Sequence, residues 1–146
     1  MRNIISNITD ESTKDFLEYL KYERRVSVNT VDSYGENLLL LKNYTNKDLI
    51  SLKKEDIKDF LDNVEATART KAHYLTVFNS FYKYLVFMDK IKSNPCDGIK
   101  APKLEKKLPT YLTNEEIAKL FNIRLTKPVD YRNKAILEVM YATGAR

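Results

Sequence analysis

Up to residue 88 the apolar positions recur at helical intervals and group into four segments. Asp10 and Glu11, following Thr9, suit the positive end of a first helix, whose inward side is Phe16, Leu17 and Leu20. Ser27 is a candidate cap for a second helix. In it Val31, Tyr34, Leu38 and Leu41 are spaced by three, four and three, on one face interrupted only by Gly35. Ile57, Phe60, Leu61 and Val64 predict a shorter third helix with Glu55 and Asp56 in its first turn. The fourth is the longest, residues 67–88, on the order of 33 Å at 1.5 Å per residue. Its expected buried stripe is Tyr74, Leu75, Phe78, Phe81, Tyr82 and Leu85.

The pattern then changes. Asn94-Pro95 ends the fourth helix, and Gly98, Pro102 and Pro109 punctuate a stretch that also carries Lys92, Lys100, Lys103, Lys106 and Lys107. A basic, proline-containing tether over residues 92–108 is the reading. Thr113-Asn114-Glu115-Glu116 is a capping box, Thr113 the cap and Glu116 reaching back, for a short helix with Ile117, Leu120 and Phe121. A last, largely apolar helix runs from about Val129 through Ala142, with Gly144 in the left-handed closing position. Two helices enclose no core, so residues 109–146 are expected to be the start of a second domain after a first over residues 1–91.

Composition narrows the class. Hydrophobic residues are 43% and charged residues 31%, the balance of a folded chain. No apolar run approaches the roughly 20 residues of a membrane span, and Met1 to Asn7 lack the apolar stretch of a secretory signal, so a cytoplasmic protein is expected. The single cysteine, Cys96, excludes an intrachain disulfide or cysteine cluster and reads as an ordinary linker residue. No zinc spacing or phosphate-cradling glycine loop occurs, and no metal or cofactor is expected.

The net charge of +5 is unevenly placed. Residues 1–67 hold 10 basic and 13 acidic side chains, residues 68–108 hold 9 and 3, and residues 109–146 hold 6 and 4. The basic excess thus sits in the longest helix and the tether after it, as a polyanionic partner would require. A general lysine preference is the alternative, since Lys outnumbers Arg 18 to 7. Opposite the buried stripe of the fourth helix lie Arg69, His73, Thr76, Ser80 and Lys83, at spacings of four, three, four and three. Every one can donate a hydrogen bond and none is negative, whereas ordinary solvated faces scatter carboxylates. His73 taken alone reads as a solvated or hydrogen-bonded side chain, with DNA contact as the sharper alternative.

An ordered set of segments resembles the Xer-type tyrosine recombinases, a branch of the phage-integrase family. Phe16-Leu17-Glu18-Tyr19-Leu20 is similar to the family's first core-binding helix, and the stretch from Ser27 through Thr30 to Tyr34 is similar to its second. Phe81-Tyr82-Lys83-Tyr84-Leu85 resembles the end of its fourth helix. Asn94-Pro95, Pro102-Lys103 and Leu108-Pro109 resemble its linker, and Leu112 to Ile117 the beginning of its catalytic domain. Tyr131 to Leu137 leads into Tyr141-Ala142-Thr143-Gly144-Ala145-Arg146, similar to the segment that ends in the family's first catalytic arginine. Asn133 stands where aspartate is usual and Ala145 where leucine is commoner.

The resemblance implies an all-α fold: a four-helix core-binding (SAM-like) orthogonal bundle, a linker, and the first helices of a truncated catalytic domain. It implies sequence-specific binding of double-stranded DNA at a recombination site. The whole enzyme, tetrameric on DNA, would cut and rejoin strands through a 3′-phosphotyrosyl intermediate. Arg146 would be the first catalytic arginine, its planar guanidinium matching charge on a phosphodiester. The remaining catalytic groups of the family are not among these residues. None of the ten tyrosines stands in the nucleophile's context, and an unassisted tyrosine with pKa of about 10 is a poor nucleophile. These residues, expected to be monomeric in solution, should therefore bind without cutting.

DNA-facing positions carried over from the family are Asn29, Thr30 and Ser33 on the second helix and Arg69, Thr70, Lys71, His73 and Thr76 on the fourth. Lys83, Lys103, Lys106 and Lys107 join them as phosphate contacts. Blander readings stand beside several: Thr30 packs or caps, Lys71 snorkels over the core edge, and Arg146 is a solvated charge. Two other functions compete: a helical DNA-binding regulator without recombinase activity, and a helical protein-interaction domain whose lysines serve solubility.

Overall fold

Polar caps start nearly every helix of the computed structural model, which describes residues 8, 10–103 and 111–145. Asp10 accepts the Thr13 amide at 2.8 Å and begins α1, Glu11–Glu18. Ser27 accepts the Thr30 amide to begin α2, Val28–Thr45, and Thr67 accepts the Thr70 amide to begin α4, Ala68–Phe87. Between them α3, Lys54–Asn63, starts where Asp56 accepts the Lys53 amide at 2.9 Å, while Lys47 grips the same carboxylate at 2.7 Å. These contacts hold the Asp56 carboxyl below the ordinary aspartate range, the Lys47 hydrogen bond contributing most. Each cap satisfies an amide that the first helical turn leaves without a partner.

Among the described residues there are six α-helices and no strand, an all-α fold as expected. One local feature departs from the sequence reading. Beyond Glu18 the first helix widens into a π turn, Tyr19–Glu23, and closes at Arg25 with a left-handed φ of 52°. Apolar spacing alone does not distinguish such a turn from α-helix.

α4 is the central element, with α1, α2 and α3 all packed against it. Phe78, Phe81, Tyr82 and Leu85 are completely buried, and Val77 and Tyr84 add to the expected stripe. Phe16 meets Phe81 and Tyr84 with ring centroids 5.4 Å apart in each case, and Phe60 meets Phe78 at 5.6 Å. The Tyr82 hydroxyl donates to the Leu49 carbonyl at 2.8 Å, and burial pushes it above the ordinary tyrosine range.

After α4 the chain folds back. Asn94 bridges the turn, donating to Asn79 at 2.6 Å and accepting the Cys96 amide at 2.9 Å. The reading of Cys96 as an ordinary linker residue is corrected here. It is 5% exposed within the core, with Ile91 and Ile99 packed nearby. Burial, then the charge of Asp97, pushes its thiol up to about 12. The chain divides into two units, Met1–Glu105 and Lys106–Arg146.

In the second unit α5, Asn114–Phe121, has the expected capping box, Glu116 accepting the Thr113 amide at 2.8 Å. Its partner α6, Pro128–Thr143, starts on Asp130 and ends at Gly144 with φ 64°. Phe121 and Tyr141 join the two, centroids 5.5 Å apart, but neither helix has a buried residue.

Tyr82→Phe should cost about 0.5–1.5 kcal/mol in urea unfolding, because the Leu49 carbonyl loses the Tyr82 donor but keeps the Leu52 amide, and packing is kept. Cys96 should stay inert to a disulfide reagent at pH 8 in the folded protein and react at once when the chain is unfolded. Rapid labelling of the native chain would contradict its burial.

Candidate nucleic-acid interface

Burying the aromatic side of α4 turns its other side to solvent. Arg69, His73, Thr76 and Lys83 are exposed and Ser80 is half-buried among them. No carboxylate occurs between residues 66 and 88, so the stripe has no acidic side chain of its own helix beside it. Thr76 donates to the Ala72 carbonyl at 2.9 Å, leaving its oxygen lone pairs toward solvent.

α2 contributes an adjoining edge. Asn29 is exposed in its first turn, with Thr30 and Ser33 half-buried. Tyr34, one turn on from Thr30, meets the His73 ring edge-on with centroids 6.4 Å apart, which ties the start of α2 to the middle of the α4 stripe. Thr30 and Thr70 occupy equivalent places: each hydroxyl lies within 2.9 Å of the cap before it, Ser27 at 2.8 Å and Thr67 at 2.9 Å. Thr30 thereby completes the cap of α2, and Thr70 that of α4.

Lys71 parts company with the stripe. Two residues from both Arg69 and His73, it lies just over half a helical turn from each. It is half-buried there and donates to the Asp62 carbonyl at 3.3 Å. Lys103 is exposed, while Lys106, Lys107 and Arg146 lie outside the described residues.

Sequence periodicity passed over Arg24. Beside the C-terminal half of α4 is a depression of about 330 Å³ lined by Arg24, Val26, Tyr34, Ser80, Lys83 and Phe87, among other aromatic residues. No acidic residue lines it. Arg24 reaches it because the π turn and the left-handed Arg25 fold the loop back, the Val26 amide donating to the Leu20 carbonyl at 3.2 Å. The adjacent Arg24-Arg25 pair just before a helix cap was the available signal. Chemically, the surface offers guanidinium, ammonium, imidazole, amide and hydroxyl donors around a partly aromatic hollow, a set that suits phosphates and base edges.

Among the described residues there is no cluster of side chains suited to a metal ion and no helix long and apolar enough to cross a membrane. Burial raises the pKa of Tyr82 and Tyr84, and donation to Asp59 raises that of Tyr44.

Residues 13–87 match the phage integrase N-terminal SAM-like domain. Tyrosine recombinase XerC of Natranaerobius thermophilus is 34% identical over 140 residues, covering 90% of this chain and 47% of that protein. Tyrosine recombinase XerD of Oceanobacillus iheyensis is 33% identical over 144 residues, covering 91% and 48%. The chain thus spans about half the length of these curated relatives. The integrase from mycobacterium phage Brujita has a similar fold, with a TM-score of 0.65 at 18% identity over 81% of this chain and 41% of that one. Since the matched domain takes in more than half of its residues, this chain belongs to the phage-integrase family of tyrosine recombinases.

Proposed function

We propose that these residues form the DNA-recognition part of a tyrosine recombinase, binding a duplex recombination site along the α4 stripe and the first turns of α2. The observation that carries this reading is the carboxylate-free outer side of α4, with Arg69, His73, Thr76 and Lys83 exposed while Phe78 and Leu85 are fully buried behind them. Arg69 and Asn29 are the base readers, since a guanidinium suits guanine and a carboxamide suits adenine in the major groove. Lys83, Arg24 and, from the tether, Lys103, Lys106 and Lys107 neutralise phosphates. Thr30 and Thr70 act through the caps they complete, holding the starts of both helices in place.

In this reading residues 109–146 begin the catalytic domain, and Arg146 belongs to its phosphate-binding set. The exposed apolar residues of α6, among them Ile136, Val139 and Met140, agree with a domain that is completed by further chain. The 146 residues bind DNA without nicking it, because none of their tyrosines stands in the context of the family's nucleophile.

A salt titration against duplex DNA should give tight binding at low salt that weakens steeply as salt rises. Negligible affinity even at low salt would defeat the reading and favour a protein-interaction domain. On a site selected from random duplexes, Arg69→Ala should weaken specific binding by about 1–3 kcal/mol and non-specific binding much less. Equal loss on both would reduce Arg69 to a phosphate contact. Supercoiled DNA incubated with the protein should remain unnicked.

A further inference from the structure

A second basic surface lies away from the α4 stripe. α3, the first turn of α4 and residues 98–102 enclose a hollow of about 540 Å³ with Lys54, Lys58, Lys71 and Lys100 around it. Leu61, Ile99 and Pro102 supply its apolar lining, and Asp62 is its one carboxylate. The lysines come from three separate elements, so their convergence is a product of folding and not of a charged run.

Two local features hold it together. Lys71 is anchored by donating to the Asp62 backbone carbonyl at 3.3 Å. Gly98 turns the returning chain at φ +74°, and a Cβ there would stand 2.9 Å from the Lys54 ammonium. A side chain at this position would be strained and would crowd Lys54. Among the described residues the ion pairs use Lys47, Lys90 and Lys134, and none of the four lysines of the hollow. Four ammonium groups against one carboxylate, Asp62, leave the hollow with a net positive charge that favours an anion from outside.

We propose that this hollow is a second phosphate-backbone site for duplex DNA, separate from the α4 stripe and indifferent to sequence. It deepens the DNA-binding reading above and rests on it. Its lining has no arginine, amide or hydroxyl side chain to read base edges. Lysines act on phosphate as point charges, and charges spread over three elements suit successive phosphates of a strand better than one small anion. Because Lys71 projects just over half a turn from Arg69, the strand gripped here is not the one lying in the groove against the stripe.

The test is the salt dependence of binding to duplex DNA by a Lys54→Gln/Lys58→Gln/Lys100→Gln variant. A control, Lys14→Gln/Lys21→Gln/Lys42→Gln, loses the same charge elsewhere. Each lost phosphate contact lowers the slope of log affinity against log salt by about 0.9. The hollow variant should therefore lose about 2 to 3 in slope, clearly more than the control. A loss no greater than the control's overturns the proposal. In the unaltered protein, saturating DNA should shield Lys54, Lys58 and Lys100 several-fold from an amine-acetylating reagent, and unshielded lysines would also overturn it. If a duplex of about one helical turn binds with stoichiometry of two, the strand belongs to a second duplex. If only a longer duplex shows the slope difference, it is the flank of the first. DNA binding with an unchanged slope removes this site alone, whereas no DNA binding at all removes it together with the reading on which it rests.

Discussion

The inner side of α4 cannot face water without exposing Phe78, Phe81, Tyr82 and Leu85 together, each completely buried in the fold. Burial of one such side chain is worth about 1.5–3 kcal/mol, so rotating the helix would cost as much as a small domain's whole stability. The Tyr82 hydrogen bond to the Leu49 carbonyl adds direction, since only one rotation about the helix axis brings that hydroxyl to its acceptor. The outward presentation of Arg69, His73, Thr76 and Lys83 follows as a consequence. The core thus sets the rotation of the proposed recognition surface, with no loop needed to aim it.

The caps, the buried faces and the α4 stripe were legible because each depends on residues within one or two turns of each other. Ser27 before the second helix and Thr113 with Glu116 are local pairings that spacing reveals, while Thr67 with Thr70 is one of the same kind that the sequence reading did not name. What escaped depends on contacts distant in sequence or on irregular backbone. Cys96 looked like tether because Pro95 and Gly98 flank it, yet the Asn94 bridge to Asn79 carries it into the core. Arg24 reaches its depression through a π turn that apolar periodicity does not encode. Lys71 is open to two readings in the sequence, a DNA contact or a side chain lying over the core edge, and its hydrogen bond to the Asp62 carbonyl reaches a residue nine positions earlier. The convergence of Lys54 and Lys58 with Lys100 required the chain to return past α3.

Charge pairing explains why a domain whose first 67 residues are net acidic still offers basic surfaces. Several carboxylates are engaged within the fold. Asp56 holds Lys47 and the Lys53 amide, Asp15 holds Lys90, Asp10 caps α1, and Asp59 accepts from Tyr44 and Asn63. Such carboxylates stand where helix starts and loop closures need an acceptor, which ties their positions to the fold. Arg69, Lys83, Lys54, Lys58, Lys71 and Lys100 take part in no ion pair among the described residues. The net charge of a segment is thus a poor guide to its surface potential. What a polyanion meets is the set of cations left over after the fold has made its own pairs, and that set includes Arg69 and Lys83 on α4 and the lysines around the hollow beside α3.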